Sequence, residues 1–158
     1  MIRAYTTTDL EAVVSLFQRS VHEIASRDYS PAEVAAWAPE APDFEAWARR
    51  LEAGGVFVCA RDDWLVGLAR IDDTGCLDLL YVHPEAQRQG VAHGLLGQAV
   101  SWAASRGIHN LHADVSVTAR PFFATEGFHV VREQRFECRG VRLRNFRMEA
   151  SLAHLLSG

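Results

Sequence analysis

A polar turn before a helix is the segment whose residue types and spacing most directly suggest chemistry. It reads YVHPEAQRQGVAHGLL from Tyr81 to Leu96, which is typical of a strand end, a turn and a helix start. The first amide N–H groups of a helix have no partner within it and lie at the positive end of its dipole, so this pattern predicts a phosphate site. Gly90 lets the backbone bend sharply, and Arg88 adds a positive charge.

The glycine pattern of this turn differs from two common nucleotide motifs. No Lys-Ser/Thr pair follows Gly90, and Ala92 stands where G-x-G-x-x-G would need its second glycine. An ordinary strand-to-helix turn that contains a glycine is the alternative interpretation.

Length and composition predict one globular domain. A chain of 158 residues buries roughly 70% of the surface that it exposes when unfolded. The net charge of -4 argues against a nucleic-acid partner. Seven arginines between Arg120 and Arg147 leave a local anion-facing surface as an alternative to solvated strand faces.

The cysteine pattern and the lack of long apolar runs predict a cytoplasmic protein. Cys59, Cys76 and Cys138 are odd in number and widely spaced, which favours neither a disulfide framework nor a zinc site. The N-terminus lacks an apolar signal core, and no run approaches the roughly 18 residues of a membrane span. We therefore expect no membrane association and no metal.

Hydrophobic periodicity predicts three helices after a short first strand. Apolar residues recur at helical spacing from Leu10 to Ile24, with Thr8 and Glu11 as a capping box. Ser30 and Glu33 form a second capping box, with Pro31 at the first helical position. A third helix is predicted over residues 43–53.

The rest of the chain alternates strands and helices in an order typical of a mixed α/β (α+β) fold. Three strands joined by short polar turns predict an antiparallel meander, and a helix then leads to a fifth strand that should lie parallel to the fourth. A mostly antiparallel sheet of about seven strands, flanked by helices, should therefore splay between strands 4 and 5, and such a switch favours a ligand crevice. The predicted ranges are 56–61, 65–72 and 76–82 for the meander, 91–106 for the helix, 110–115 for strand 5, 118–127 for a short helix, and 128–137 with 141–150 for a closing hairpin.

The polar turn, together with its flanking segments, resembles the GCN5-related N-acetyltransferase (GNAT) family. The segment QRQGVA is similar to the Q/R-x-x-G-x-G/A signature of that family, and ARPFFATEGF resembles its short helix with a closing G-F. The segments YSPAEVAAWAP and ECRGVRLRNFRME are similar to the YafP-like branch. The resemblance covers essentially the whole chain and implies a GNAT fold that binds acetyl-coenzyme A (acetyl-CoA) as cosubstrate.

The resemblance implies two sets of donor contacts. The pantetheine arm of the cofactor is expected along the fourth strand at Leu80, Tyr81 and Val82, and the pyrophosphate at the turn. Ser116, which stands where the family often has a pantetheine-contacting asparagine, and Phe123 of the predicted short helix are further implied cofactor contacts. The cofactor-binding residues implied at the turn are Gln87, Arg88, Gln89, Gly90, Val91, Ala92 and His93.

Acyl transfer to an amine requires a proton acceptor, because a primary amine is mostly protonated at neutral pH. Asp78 lies in the apolar run CLDLLYV, and strict alternation places it on the face of Leu80 and Val82. Burial of a carboxylate there without a purpose would be costly, so Asp78 is the candidate base. A structural hydrogen-bonding role for Asp78 and a relay through water are alternatives.

The leaving thiolate requires a proton, which the family commonly takes from a tyrosine four residues before the glycine of G-F. That position is Phe123 here, so the usual acid is missing. A thiol has a pKa near 8.5 and leaves readily, so we expect the loss to lie at the low end of about 10²–10⁴-fold. Water, Tyr81, Ser116 or Tyr29 could donate instead.

The acceptor is expected between the first two helices and the closing hairpin. This placement predicts His22, Tyr29, Trp37 and Glu133 or Glu137 as substrate-binding residues, with core packing as the alternative for His22 and Trp37. The sequence identifies neither the acceptor amine nor the acyl length. It leaves the oligomeric state open, and a homodimer is compatible with it.

The leading functional hypothesis is an acetyl-CoA-dependent N-acetyltransferase that transfers its acyl group to an amine of a small molecule or protein. Phe123 motivates an alternative, a catalytically weak acyl-CoA-binding sensor or partner module. A third hypothesis, acetylation of aminoacyl-tRNA, would require a broad basic surface, and the net charge of -4 disfavours it.

Overall fold

A computed structural model describes residues 1–157. Its seven strands and the first five of its six helices follow the order predicted from the sequence. The strands are β1 (Ile2–Ala4), β2 (Gly55–Arg61), β3 (Trp64–Ile71), β4 (Leu77–Val82), β5 (Asn110–Ser116), β6 (His129–Cys138) and β7 (Val141–Ser151). The helices are α1 (Leu10–Glu23), α2 (Pro31–Trp37), α3 (Phe44–Leu51), α4 (Val91–Ser105), α5 (Arg120–Glu126) and α6 (Leu152–Ser157).

The strands form two antiparallel half-sheets that separate between β4 and β5. One has the order β1-β2-β3-β4 and the other β5-β7-β6. The halves meet at one parallel bridge between Cys76 and His112, where the His112 N–H donates to the Gly75 carbonyl at 2.9 Å. The predicted mixed α/β fold, with its splay between strands 4 and 5, is therefore confirmed.

Helices cover both faces of the first half-sheet. Val13 and Leu16 of α1 pack with Leu51 of α3 on one face. On the other face, Val91 and Leu95 of α4 pack against β2, β3 and β4. The N-terminus of α4 therefore lies on the face opposite to α1 and α3, beside the opening between the half-sheets.

The start of α1 and the end of the chain differ from the sequence prediction. Helix α1 begins at Leu10, and the preceding capping interaction joins Thr6 to Asp9 rather than Thr8 to Glu11. The Thr6 N–H donates to the Asp9 carboxylate at 2.9 Å. The short helix α6 was not predicted, because its few residues follow β7 without a turn signal. The second predicted capping box, between Ser30 and Glu33, is confirmed.

A β-bulge lies in β4 and reverses one predicted side-chain direction. Arg70 pairs with Leu79 while Ile71 pairs with Leu77, so Asp78 is the extra residue on β4. A bulge interrupts the two-residue alternation of a strand. The prediction that Asp78 shares the face of Leu80 and Val82 is therefore wrong, since its carboxylate contacts Arg50 of α3 on the opposite face.

Within residues 1–157, no helix combines the length and the apolar character that crossing a lipid bilayer requires.

Candidate active site

A cavity of about 800 Å³ extends through the opening between β4 and β5. At one end it is lined by the turn before α4 and by α5. At the other end it is lined by α1, α2 and the closing hairpin of β6 and β7. The cavity thus joins the predicted phosphate site to the predicted acceptor region.

The turn before α4 is held open for an anion by its backbone conformation. Gly90 has φ +80°, and a Cβ built at this position meets no atom within 4 Å. The first helical hydrogen bond runs from the Gly94 N–H to the Gly90 carbonyl at 3.0 Å. Within residues 1–157, the backbone amides of Val91, Ala92 and His93 have no hydrogen-bond acceptor. Three N–H groups at the positive helix end can therefore bind phosphate oxygens.

Side chains of the turn fasten it to neighbouring elements. The Gln87 Nε2 donates to the Val82 carbonyl at 2.9 Å. Gln89 donates to the Glu85 carbonyl at 3.2 Å and accepts from Arg61. Gln87 and Gln89, both predicted cofactor residues, thus shape the turn through their side chains. Arg88 lines the cavity and has a left-handed φ of +61°.

His93 joins the N-terminus of α4 to α5. Its Nδ1 lies 2.7 Å from the Glu126 Oε1, and the imidazole lines the cavity. The contact positions α5 against the predicted phosphate site. His93 is exposed, so its ring also remains accessible to a ligand.

The end of β4 lies along the cavity, and on one side its backbone has no neighbouring strand at Leu80 and Val82. The His83 N–H bonds to Val66 of β3 at 2.8 Å, so the neighbouring N–H of Val82 points away from β3. The Val82 carbonyl points the same way and accepts from Gln87. Val82 and Leu80 pack toward α4, and both line the cavity. This open edge suits pairing with an extended amide chain.

Tyr81 lies on the opposite face of β4, in an aromatic cluster. Its ring packs edge-on against Phe17, with centroids 5.0 Å apart, and against Trp37 at 6.5 Å. Burial raises the pKa of Tyr81 to about 12. Its hydroxyl is therefore protonated at neutral pH, and proton transfer from it to a thiolate of pKa near 8.5 is uphill.

The geometry of Asp78 argues against its predicted role as general base. The Arg50 Nε and Nη2 donate to the two carboxylate oxygens at 2.8 and 2.9 Å, and the Arg70 Nη1 donates at 2.9 Å. Burial raises the pKa of Asp78, but the hydrogen bonds and charges of Arg50 and Arg70 outweigh burial and lower it overall. A carboxylate held by two guanidinium groups has little capacity to accept a further proton.

Tyr29 is buried among residues of α1, α2 and β7, and its hydroxyl is fully engaged. It donates to the Arg144 carbonyl at 2.5 Å and accepts from the Val117 N–H at 2.9 Å. Burial raises the pKa of Tyr29. Its ring and that of Trp37, which lie 5.3 Å apart, line the acceptor end of the cavity. The predicted proton donation by Tyr29 would break a contact that joins the segment before α2 to β7.

His22, Glu133 and Glu137 do not line the cavity that residues 1–157 form, which corrects their predicted substrate contact. The His22 Nε2 lies 2.7 Å from the Ala38 carbonyl, so the ring fastens α1 to the end of α2. The Glu133 carboxylate accepts from the Arg144 Nε at 2.7 Å, across the hairpin of β6 and β7.

Ser116 and Phe123 flank the cavity near α5. The Ser116 Oγ accepts from the Ala119 N–H at 3.0 Å, which leaves its own proton available for donation. Phe123 is buried against Phe122 and Phe128, with centroids 5.6 and 5.1 Å away. Of the two, only Ser116 brings a hydroxyl to the cavity.

Polar residues at the acceptor end that were not predicted include one each from α3, β5, β6 and β7. Asp114 lies two residues before Ser116 on β5, so strand alternation could have placed it on the same face. Arg50 lies on α3, far along the chain from β4, and its contact with Asp78 carries no sequence signal. The four residues are Arg50, Asp114, Gln134 and Asn145.

Comparisons with known proteins agree with this geometry. The family model described as "Acetyltransferase (GNAT) domain" matches residues 25–150. The Escherichia coli (strain K12) protein described as "Uncharacterized N-acetyltransferase YafP" is 36% identical over 154 residues, which cover 97% of each chain.

Solved structures show the same fold. A GCN5-related N-acetyltransferase from Rhodopseudomonas palustris, also described as a class-II aminotransferase, superposes with a TM-score of 0.92 at 28% identity, covering 96% of this chain and 94% of that one. The acetyltransferase YncA from Salmonella typhimurium, solved with its cofactor acetyl-CoA, has a TM-score of 0.71 at 23% identity and covers 96% and 93% of the two chains.

Proposed function

Because the chain belongs to the GNAT family and is an N-acetyltransferase, we propose that it transfers an acetyl group from acetyl-CoA to an amine by direct attack on the thioester. The observation that carries the proposal is the turn before α4. It presents three free amides to a continuous cavity that leads past β4 to a second, polar chamber.

The donor half of the cavity suits acetyl-CoA. The amides of Val91, Ala92 and His93 would hold the pyrophosphate, with Arg88 adding charge. The free backbone edge at Leu80 and Val82 would pair with the pantetheine amides. The thioester would then lie near the end of β4, where the cavity passes between the half-sheets.

The reaction itself needs little from titrating side chains. The neutral amine nitrogen attacks the thioester carbon, the carbonyl oxygen becomes an oxyanion, and the C–S bond then breaks. The products are an N-acetyl amine and coenzyme A as its thiol, because the proton that the attacking nitrogen loses balances the proton that the leaving thiolate gains. An acceptor that arrives as an ammonium ion first loses one further proton to water. The Val82 N–H, which points away from β3, is the candidate donor to the oxyanion.

Water or the Ser116 hydroxyl would protonate the leaving thiolate, since Phe123 supplies no acid.

Phe123 also favours a second candidate function, a weakly catalytic acyl-CoA-binding module. The substitution Phe123→Tyr separates the two. If it adds the family's acid, kcat should rise by up to about 10²-fold, while Phe122→Tyr, one residue earlier, is the matched control.

The decisive experiment combines donor binding with thiol release. Coenzyme A binding is measured by calorimetry, and release of its thiol is followed with acetyl-CoA across a panel of small amines and peptides. Acceptor-dependent release supports the enzyme. Tight binding of coenzyme A with no release from any amine, in wild type and in Phe123→Tyr, would leave only the binding module.

The proposal leaves the acceptor as a small molecule or a protein amine. A cytoplasmic location and a single catalytic domain over residues 1–158 are parts of the proposal that follow from the sequence.

A further inference from the structure

We propose that the acceptor is a small amine that also carries a carboxylate and an apolar or aromatic body, as an aromatic amino acid does. Its ammonium group would bind Asp114 and its carboxylate would bind Arg50. This inference rests on the proposed N-acetyltransferase function and specifies its acceptor.

Asp114 is the carboxylate of the acceptor chamber that is available to a ligand. It lines the cavity from β5, and its Oδ1 accepts from the Gln134 Nε2 at 2.8 Å. Within residues 1–157 it forms no salt bridge, in contrast to Asp78, which is held by two arginines. Ser116, two residues further along the same face, marks the direction of the thioester. An ammonium group at Asp114 would thus lie beside the donor end.

Arg50 brings a net positive charge to the cavity from α3. Arg50, Asp78 and Arg70 form a cluster of two cations and one anion, so the cluster carries one excess positive charge. The Arg50 Nε and Nη2 are used by Asp78. The Nη1 has no acceptor in the part of the chain described, residues 1–157, and Arg50 lines the cavity. A guanidinium edge of this kind is suited to a carboxylate.

Apolar side chains also line the acceptor end of the cavity. Trp37 and Tyr81 line it from α2 and β4, and Phe136 and Leu143 line it from the closing hairpin. Phe136 is 42% exposed although it is a large apolar side chain, which leaves its face free for a ligand. This lining favours an acceptor with an apolar or aromatic side chain.

The charge balance disfavours the two obvious alternatives. The charged residues that line the acceptor chamber are Arg50, Asp78, Arg135 and Asp114, so the chamber has no excess of negative charge. A polyamine would place its second cation near arginines. An internal lysine or the N-terminus of a peptide would bring no carboxylate to Arg50. A zwitterionic amine satisfies both charges.

The test compares three matched ligands by calorimetry on the protein saturated with coenzyme A. They are L-phenylalanine, phenethylamine, which lacks the carboxylate, and 3-phenylpropionate, which lacks the amine. We expect phenylalanine to bind at least tenfold more tightly than either. In turnover with acetyl-CoA, its kcat/KM should exceed that of phenethylamine and of phenylalanine amide by a similar factor.

Substitutions then assign the two charges. Arg50→Met should reduce the preference for phenylalanine over phenethylamine at least tenfold, whereas Asp114→Asn should weaken both amines alike. Arg49→Met is the matched control, because Arg49 is exposed on the same helix and does not line the cavity within residues 1–157. It should leave the preference unchanged.

Each outcome bears on the inference. Equal or tighter binding of phenethylamine or phenylalanine amide, or no binding of phenylalanine, would overturn it, even if Arg50→Met fails to fold. Acceptor-dependent thiol release from diamines or peptides alone would overturn it while leaving the N-acetyltransferase assignment intact. Failure to bind coenzyme A would instead refute the proposed donor site.

Discussion

Three glycines of helix α4 allow the predicted pyrophosphate site to be tested against matched controls. Gly90 precedes the helix with φ +80°, Gly107 follows it with φ +71°, and Gly97 lies within it. A Cβ built at any of the three meets no atom within 4 Å. Substitution by alanine therefore changes backbone preference at each site without a clash inside the protein.

The expected stabilities follow from the backbone conformations. Gly90→Ala and Gly107→Ala should each destabilise the protein by roughly 1–2 kcal/mol, since a residue with a Cβ is strained in the left-handed region. Gly97→Ala should stabilise it by about 0.5–1 kcal/mol, because glycine is unfavourable within a helix. Urea unfolding of the three variants measures these differences.

Coenzyme A affinity should separate Gly90 from the other two. The proposed site has the pyrophosphate against the backbone at Gly90, so a methyl group there is expected to crowd the phosphate oxygens and remove at least one charged hydrogen bond, worth about 1.5–3 kcal/mol. We expect at least a tenfold rise in Kd, since tenfold corresponds to about 1.4 kcal/mol. Calorimetry should give wild-type Kd for Gly107→Ala and Gly97→Ala. Wild-type affinity in Gly90→Ala, or an equal loss in Gly107→Ala, would refute the assignment of the turn.

Two further predictions concern side-chain bonds that fasten α3 to β4 and the segment before α2 to β7. Asp78→Asn should destabilise the protein by about 1–2 kcal/mol at pH 7. Because the folded pKa of Asp78 is lowered, its contribution is complete above the ordinary value of about 3.9 and is lost as pH falls through the folded value. Urea titrations should therefore show the two proteins converging below about pH 4, and a constant difference would contradict the ion-pair cause. Tyr29→Phe should cost about 1–3 kcal/mol, since it leaves the Val117 N–H and the Arg144 carbonyl without their partner. Tyr5→Phe is the control, within about 0.5 kcal/mol of wild type, and equal effects would contradict the bridging role.

The elements that could be predicted from the sequence are those whose signals are local. The turn before α4 was predicted because a glycine, a polar run and helical periodicity lie within sixteen residues. The splay between β4 and β5 followed from the helix that connects them. Both depend on neighbouring residues and on general rules of chain connection.

The site residues that were placed wrongly depend on distant contacts or on a local irregularity. Asp78 was assigned to the wrong face because the bulge in β4 breaks the alternation that the sequence suggests. The imidazole of His22 is a group that often binds ligands, but its Nε2 is hydrogen-bonded to the Ala38 carbonyl. Arg50 could not be predicted, because its partner lies on a strand 28 residues away.

The bonds of Gln87 to the Val82 carbonyl and of Gln89 to the Glu85 carbonyl bear on the kinetics of donor capture. A loop that is already in its binding conformation loses little conformational entropy when a ligand arrives. The loss of conformational entropy that orders the turn occurs when the protein folds. Coenzyme A should therefore associate without a slow rearrangement of the turn. Differences in affinity among donor analogues should then lie in their dissociation rates.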